Sequence, residues 1–289
     1  LQRKKELWTT NDPGEPVKVV GAEDEDEEAE IIVETILERG KEESAILYRT
    51  NAQSRAIEQA LNFRSIPYNI FGGVRFYERK EIRDIVAALR YASNPKDELS
   101  KDRIEKTFKK KIREELLGEL PRLAKELSPL ELLGYVLKTA DYFAYLATNY
   151  ENSEERGENV AELIKFANSF SLLEELVERI SLLQATDQIS ETDSPRVKLM
   201  TIHLAKGLEF DDVYIAGASE GLLPHQRSLF HEDELEEERR LAYVAMTRAK
   251  KRLHISFYSF ASRFLYEIPP ELIDFKNKHM MDGPVIYID

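Results

Sequence analysis

Two rhythms of apolar and polar residues divide this chain. Short apolar runs read as strands at residues 17–20, 44–48, 197–202, 212–217 and 253–257. The run at 44–48 is continuous, as expected for a strand buried on both faces of a parallel sheet. Residues 67–70 add a further extended piece. Between these runs the spacing turns helical. Ile31, Ile32, Val33, Ile36 and Leu37 make an apolar stripe over 29–39, and Gly40 stands where such a helix ends. Thr50 and Asn51 open a helix through Ile57 and Leu61. Gly72 and Gly73 form a turn, and 78–91 is strongly amphipathic through Ile82, Ile85, Val86 and Leu89. A further helix is expected over 235–249. Strands and helices alternating in this way predict an α/β sheet with covering helices.

The rhythm changes near residues 93–95. From 102 to 183 the periodicity is helical throughout, with Pro121 and Pro129 each suited to the first turn of a new helix. Typical helix lengths give about half a dozen helices here. The expected organisation is an α/β domain in two pieces, 1–95 and 195–275, split by a helical inserted domain over 96–194. A tail follows over 276–289, in which 285–288 suits a small edge strand.

Composition narrows the class. With 42% hydrophobic residues the chain can bury a core, and 33% charged residues favours long solvated helices. There is no cysteine, which removes disulfide frameworks and thiolate metal sites. No apolar run reaches membrane-spanning length, and no basic segment followed by an apolar stretch opens the chain, so a cytoplasmic protein is the expectation. The net charge of -13 argues against uniform coating by a polyanion, but it permits a local basic groove. The acidic surplus is clustered at 23–28 and 232–238, and both runs read as solvated helix faces. Lys109, Lys110 and Lys111 lie between them.

Three constellations carry candidate chemistry. The first is Thr201-Ile202-His203-Leu204-Ala205-Lys206-Gly207-Leu208-Glu209-Phe210, between two strands. Polar residues that follow a sheet strand stand where α/β sheets bind ligands. Gly207 permits close backbone approach, Glu209 suits a ribose hydroxyl, and His203 and Lys206 suit phosphate. A capped helix start with a solvated His and Lys is the plainer reading. The second runs from Glu236 to Arg252, with Arg240, Thr247 and Arg248 flanking an apolar stripe. An arginine at the end of a packed helix is suited to stabilising a transferring phosphoryl group. Glu236 and Arg240 also fit an ordinary surface pair at helical spacing. The third comprises residues 48–55 and 71–77, where Asn51, Arg55 and Arg75 stand near aromatics in a manner suited to a single-strand groove. For Phe76 and Tyr77, core packing is the preferred reading.

Taken together these blocks resemble the UvrD/PcrA/Rep family of superfamily 1 DNA helicases. Residues 201–210 resemble its motif V, and residues 237–249 resemble its motif VI. Residues 47–55 and 72–82 look like the stretches between its motifs IV and V, and Gly221-Leu222-Leu223-Pro224-His225 is also familial. Order and spacing match to about Phe275. The resemblance implies a RecA-like parallel sheet with flanking helices, interrupted by an all-helical inserted domain. It implies an ATP- and Mg2+-dependent 3′-to-5′ motor on single-stranded and junction DNA, acting in repair or replication, with repair proteins as possible partners. Arg248 would be the arginine finger, Glu209 and Gly207 would lie at the nucleotide, and Thr201 and His203 would face the DNA. Asn51, Arg55 and Arg75 would line the DNA path.

The departures are informative. No G-x-x-x-x-G-K-[ST] sequence occurs, since the Gly40-Lys41 pair is followed by Glu42. The magnesium-binding and adenine-stacking motifs are also not visible. The resemblance assigns these to a missing amino-terminal half, so the chain alone is expected to be inactive. The family's Gly-Ile-Gly duplex-binding hairpin is not found near residues 100–118. A non-catalytic DNA- or protein-binding fragment of a repair or recombination complex is the alternative.

Overall fold

The computed structural model describes residues 14–40, 43–186 and 196–277. The expected edge strand at 285–288 lies outside them. Seven strands form one sheet: β1 (Val17–Ala22), β2 (Ser44–Tyr48), β3 (Tyr68–Ile70), β4 (Val197–Thr201), β5 (Phe210–Ile215), β6 (Ala249–Tyr258) and β7 (Ile273–Asn277). Their order is β3-β4-β2-β5-β6-β1-β7, and every neighbouring pair is parallel. This is the α/β RecA-like arrangement that the resemblance implied. Strand β7, which among the described residues pairs only with β1, was not expected from the sequence. At the start of β1, Gly14 lies against the Lys251 carbonyl.

Central strand β2 shows why the sheet is two-faced. All five of its residues are buried. Successive side chains point to opposite faces. Ala45 and Leu47 therefore join one core with Met200, Val213, Ile255 and helix α10 (Glu232–Met246). Ile46 and Tyr48 join the other, with helices α1 (Glu25–Arg39) and α2 (Ser54–Phe63). The acidic run at 23–28 starts α1. Asp24 caps it, accepting from the amides of Asp26 and Glu27 at 3.0 and 2.9 Å. The remaining acids fill the first turn, where the helix dipole favours them. Not all of the run is solvated, because Glu28 is buried.

A third core is helical. It is built around α3 (Lys80–Ser93), with α4 (Glu98–Thr107), α5 (Lys110–Leu123), α6 (Pro129–Thr139), α7 (Tyr142–Asn149), α8 (Ser153–Ala167) and α9 (Leu173–Thr186). Phe76, Tyr77, Ile82, Ile85 and Leu89 pack there against Leu116, Leu133, Leu163 and Ile180. The helical packing thus begins at Phe76. Pro129 opens α6 as expected, behind the Ser128 cap. Pro121 does not open a helix but lies inside α5. It leaves the Leu117 carbonyl without its helical donor, and the Tyr91 hydroxyl donates there at 3.4 Å. Among the described residues no helix is long and apolar enough to cross a membrane.

Candidate functional site

The segment from Thr201 to Glu209 crosses the sheet rather than staying at one end. Thr201 closes β4, and Phe210 opens the parallel strand β5. The few residues between must therefore travel from the carboxyl end of the sheet to its amino end. Ile202 and Ala205 anchor the crossing in the α10-side core. Two candidate clusters result, at opposite ends of one sheet.

At the amino end, Glu209 and Arg248 immediately precede β5 and β6. The Phe210 amide donates to the Arg248 carbonyl at 2.9 Å, which holds the two starts together. The guanidinium of Arg248 folds onto backbone: Nε donates to Val244 O at 3.0 Å and Nη1 to Leu208 O at 2.9 Å. Nη2 reaches the Thr247 hydroxyl at 3.1 Å. Among the described residues no carboxylate pairs with it, so its charge is uncompensated at a partly open edge. Such a fixed fork suits an anionic ligand oxygen. Glu209 is exposed beside it. Gly207 has φ +90, in the left-handed region that favours glycine, and nothing lies within 4 Å of where a Cβ would stand. These residues fit the phosphate and ribose of a nucleotide. Among the described residues no group of three or more His, Asp or Glu side chains is placed to hold a metal ion.

At the carboxyl end, Asn51, Thr201 and His203 line one cavity of about 310 Å3. Asn51 follows β2, in a turn held by Gln53. The Gln53 side-chain oxygen accepts from the amides of Arg49 and Thr50 at 2.9 and 3.0 Å, and its Nε2 donates to Ala216 O at 3.2 Å. Although the His203 ring reaches solvent, desolvation and the nearby Arg49 charge pull its pKa below the usual histidine value, with Glu238 opposing. The opposite wall is α8 and the turn before it, bearing Glu151, Glu154, Glu155 and Glu158. Glu155 accepts from the Asn51 amide group and Glu154 pairs with Arg227. His225 lies 3.2 Å from Glu158. Carboxylates thus already occupy donors on the cavity wall.

Arg75 and Arg55 stand elsewhere. Arg75 lies 5.1 Å over the Tyr68 ring. Its loop touches the crossing segment through Gly72, where a Cβ would meet Leu204 at 2.2 Å. Arg55 is 1% exposed. It pairs with Glu162 at 2.6 Å and Asp26 at 3.0 Å, and stacks over Phe166. In place of the expected groove position, its guanidinium is spent within the protein, tying α2 to α1 and α8. Phe76 and Tyr77 are buried, as the packing reading expected. The Glu236–Arg240 pair does not form; Glu236 pairs with Arg239 and Glu237 with Arg240. Arg227, which lines the cavity, was missed, as were His225 and Glu238, which pack beside it. Only the familial stretch ending at His225 pointed toward them.

The sequence comparisons point to one family. The model of the UvrD-like helicase C-terminal domain matches residues 1–165 and again 138–260. The ATP-dependent DNA helicase UvrD1 of Mycobacterium tuberculosis is 36% identical over 358 residues, covering 95% of this chain and 46% of the relative. ATP-dependent DNA helicase PcrA of Bacillus subtilis is 31% identical, covering 96% and 47%. DNA helicase II of Haemophilus influenzae is 34% identical, covering 93% and 46%. The chain therefore spans about half the length of the curated relatives it matches. A solved C-terminal domain of a possible DNA helicase from Lactobacillus plantarum aligns with a TM-score of 0.41 at 13% identity, over 91% of this chain and 86% of that one. With the family match extending over most of its length, the chain belongs to the UvrD-like helicase C-terminal domain family.

Proposed function

We propose that this chain is the second core and helical module of an ATP-driven motor. The motor moves 3′ to 5′ on single-stranded DNA and unwinds duplex in repair or replication. The observation that carries the reading is the pair of clusters at opposite ends of one sheet, joined by the 202–209 crossing and by α10. A core domain bearing the phosphate-binding loop and magnesium ligands completes the site.

Hydrolysis of the bound ATP supplies the free energy. Arg248 offers its uncompensated guanidinium to charge developing on the transferred phosphoryl group. Glu209 accepts from the ribose, and the open backbone at Gly207 admits close approach. Asn51, Thr201 and His203 hold single-stranded DNA at the far end, with Arg75 beside their path. A neutral His203 donates or accepts a hydrogen bond there without adding charge. Junction DNA and repair proteins are the further partners of the complete motor, which works in the cytoplasm.

The test compares Arg248→Ala with wild type in the complete motor, measuring DNA-stimulated ATP turnover. The variant should lose about 10³–10⁵-fold, the range of arginine fingers. Near-normal turnover overturns the assignment. The chain alone should hydrolyse no ATP, and turnover by the purified chain would overturn the shared-site reading.

A further inference from the structure

Glu238 is the one member of its acidic run that turns inward. Its neighbours Glu236 and Glu237 make surface pairs, whereas Glu238 is 5% exposed. Its carboxylate accepts from Arg49 Nη2 at 2.7 Å and Arg49 Nε at 3.1 Å. It also accepts from the His225 backbone amide at 3.0 Å. Three elements meet at this one group: helix α10, the end of β2, and the loop before the 3-10 turn at Gln226–Phe230. The helix itself does not need the contact. A solvated glutamate would satisfy α10 equally, and desolvating two charges offsets most of what their attraction returns. What a forked, charge-assisted contact does provide is a fixed relative position.

That position matters because of what else α10 carries. Arg248 lies two residues past the end of α10 at Met246, and the eight residues from Glu238 to Met246 span about 12 Å at 1.5 Å per residue. Arg49 leads into the turn that presents Asn51, and its charge is felt by His203. Helix α10 is thus a rod with Arg248 at one end of the sheet and a hydrogen-bonded grip on the opposite end.

We infer that Glu238 is a positioning residue, which couples movement of the Arg248 end of α10 to the loops bearing Asn51, His203 and His225. The inference rests on the function proposed above. Loss of the grip should leave each cluster formed but let them act separately.

The test uses Glu238→Gln in the complete motor, because glutamine keeps the size and the acceptor for His225 but not the charge that holds Arg49. The readout is ATP turnover with and without single-stranded DNA, alongside the thermal midpoint. Turnover without DNA should persist, while the stimulation ratio falls about 5- to 150-fold, the span of typical coupling energies. Arg49→Gln should lower the ratio similarly, and the double variant should lose no more than either single one. An undiminished ratio in Glu238→Gln overturns the inference, as does full additivity of the two losses. Equal loss of both turnovers with a lowered midpoint would mark a merely structural role and overturn it too. Should Glu238→Gln fail to fold, Arg49→Lys keeps charge but loses the fork, and an undiminished ratio there overturns the inference equally. A wild-type motor without DNA-stimulated turnover would refute the proposed function itself, a different outcome from a stimulated wild type with an equally stimulated variant.

Discussion

Glu28 offers a measurement that needs only this chain. Its carboxyl is buried at the start of α1, accepting from the Gly217 amide at 2.8 Å. Burial raises its pKa from 4.5 to about 7, against the opposing hydrogen bonds from Gly217 and Ser256. The folded protein therefore keeps this proton up to about pH 7, whereas the unfolded chain releases it near 4.5. Between those values the folded state binds more protons, so this group's contribution to stability falls as pH rises. At 1.36 kcal/mol per unit, the loss across the window is about 3 kcal/mol. Glu28→Gln has no such proton, and its amide oxygen still accepts from Gly217. Urea unfolding of both proteins at pH 4 and pH 8 isolates the effect, because other titrating groups cancel in the difference. His254, for example, held down to about 4 mainly by burial, titrates in both. The variant should gain about 3 kcal/mol relative to wild type on going from pH 4 to pH 8. A difference that does not change with pH would refute the reasoning, and a change of opposite sign would mean that the carboxylate is stabilised by its site.

Three further outcomes are expected. Arg55→Ala should cost about 3–5 kcal/mol in urea unfolding, because it leaves the buried Glu162 with only the exposed Lys165 at 3.7 Å; a loss under about 1 kcal/mol would show that the tie is dispensable. Gly217→Ala should lower the thermal midpoint, with a cost of roughly 1–3 kcal/mol, since φ is +68 and the new Cβ would stand 2.1 Å from Gln53 Nε2; an unchanged midpoint would contradict the close packing. Replacing Glu154 and Glu155 together by glutamine should tighten single-stranded DNA binding, with release of the exposed Glu154–Arg227 pair alone giving about 1.4- to 5-fold, from roughly 0.2–1 kcal/mol. Fluorescence anisotropy at low salt reads that change, and equal or weaker binding would show that the carboxylates do not compete with DNA.

Much of the sheet was legible because buried parallel strands leave continuous apolar runs. Residues 44–48 were bounded as observed, since all five side chains are buried. Strand β7 was not legible, because it alternates apolar with charged residues as Ile273-Asp274-Phe275-Lys276, without the continuous apolar run of a buried strand. The site was legible as motifs but not as geometry. Residues 201–210 read as one polar stretch after a strand, yet the chain carries its two halves to opposite ends of the sheet. Glu238 looks like any other acid in its run, and its contacts with the His225 amide and with Arg49, 189 positions away, set it apart. Arg55 read as a groove residue for the same reason, since Glu162 lies 107 positions away. Pairings over such separations leave no local periodicity.

The entry of β1 into the sheet has a consequence for how its two ends are reached. Gly14 lies against Lys251, three residues beyond Arg248, at the amino end of the sheet. The opening residues of β1 therefore share an edge with Arg248 and not with Asn51 and His203. A ligand or domain that docks on that edge would meet the start of β1 together with the arginine, and the cavity at the far end would stay a separate surface.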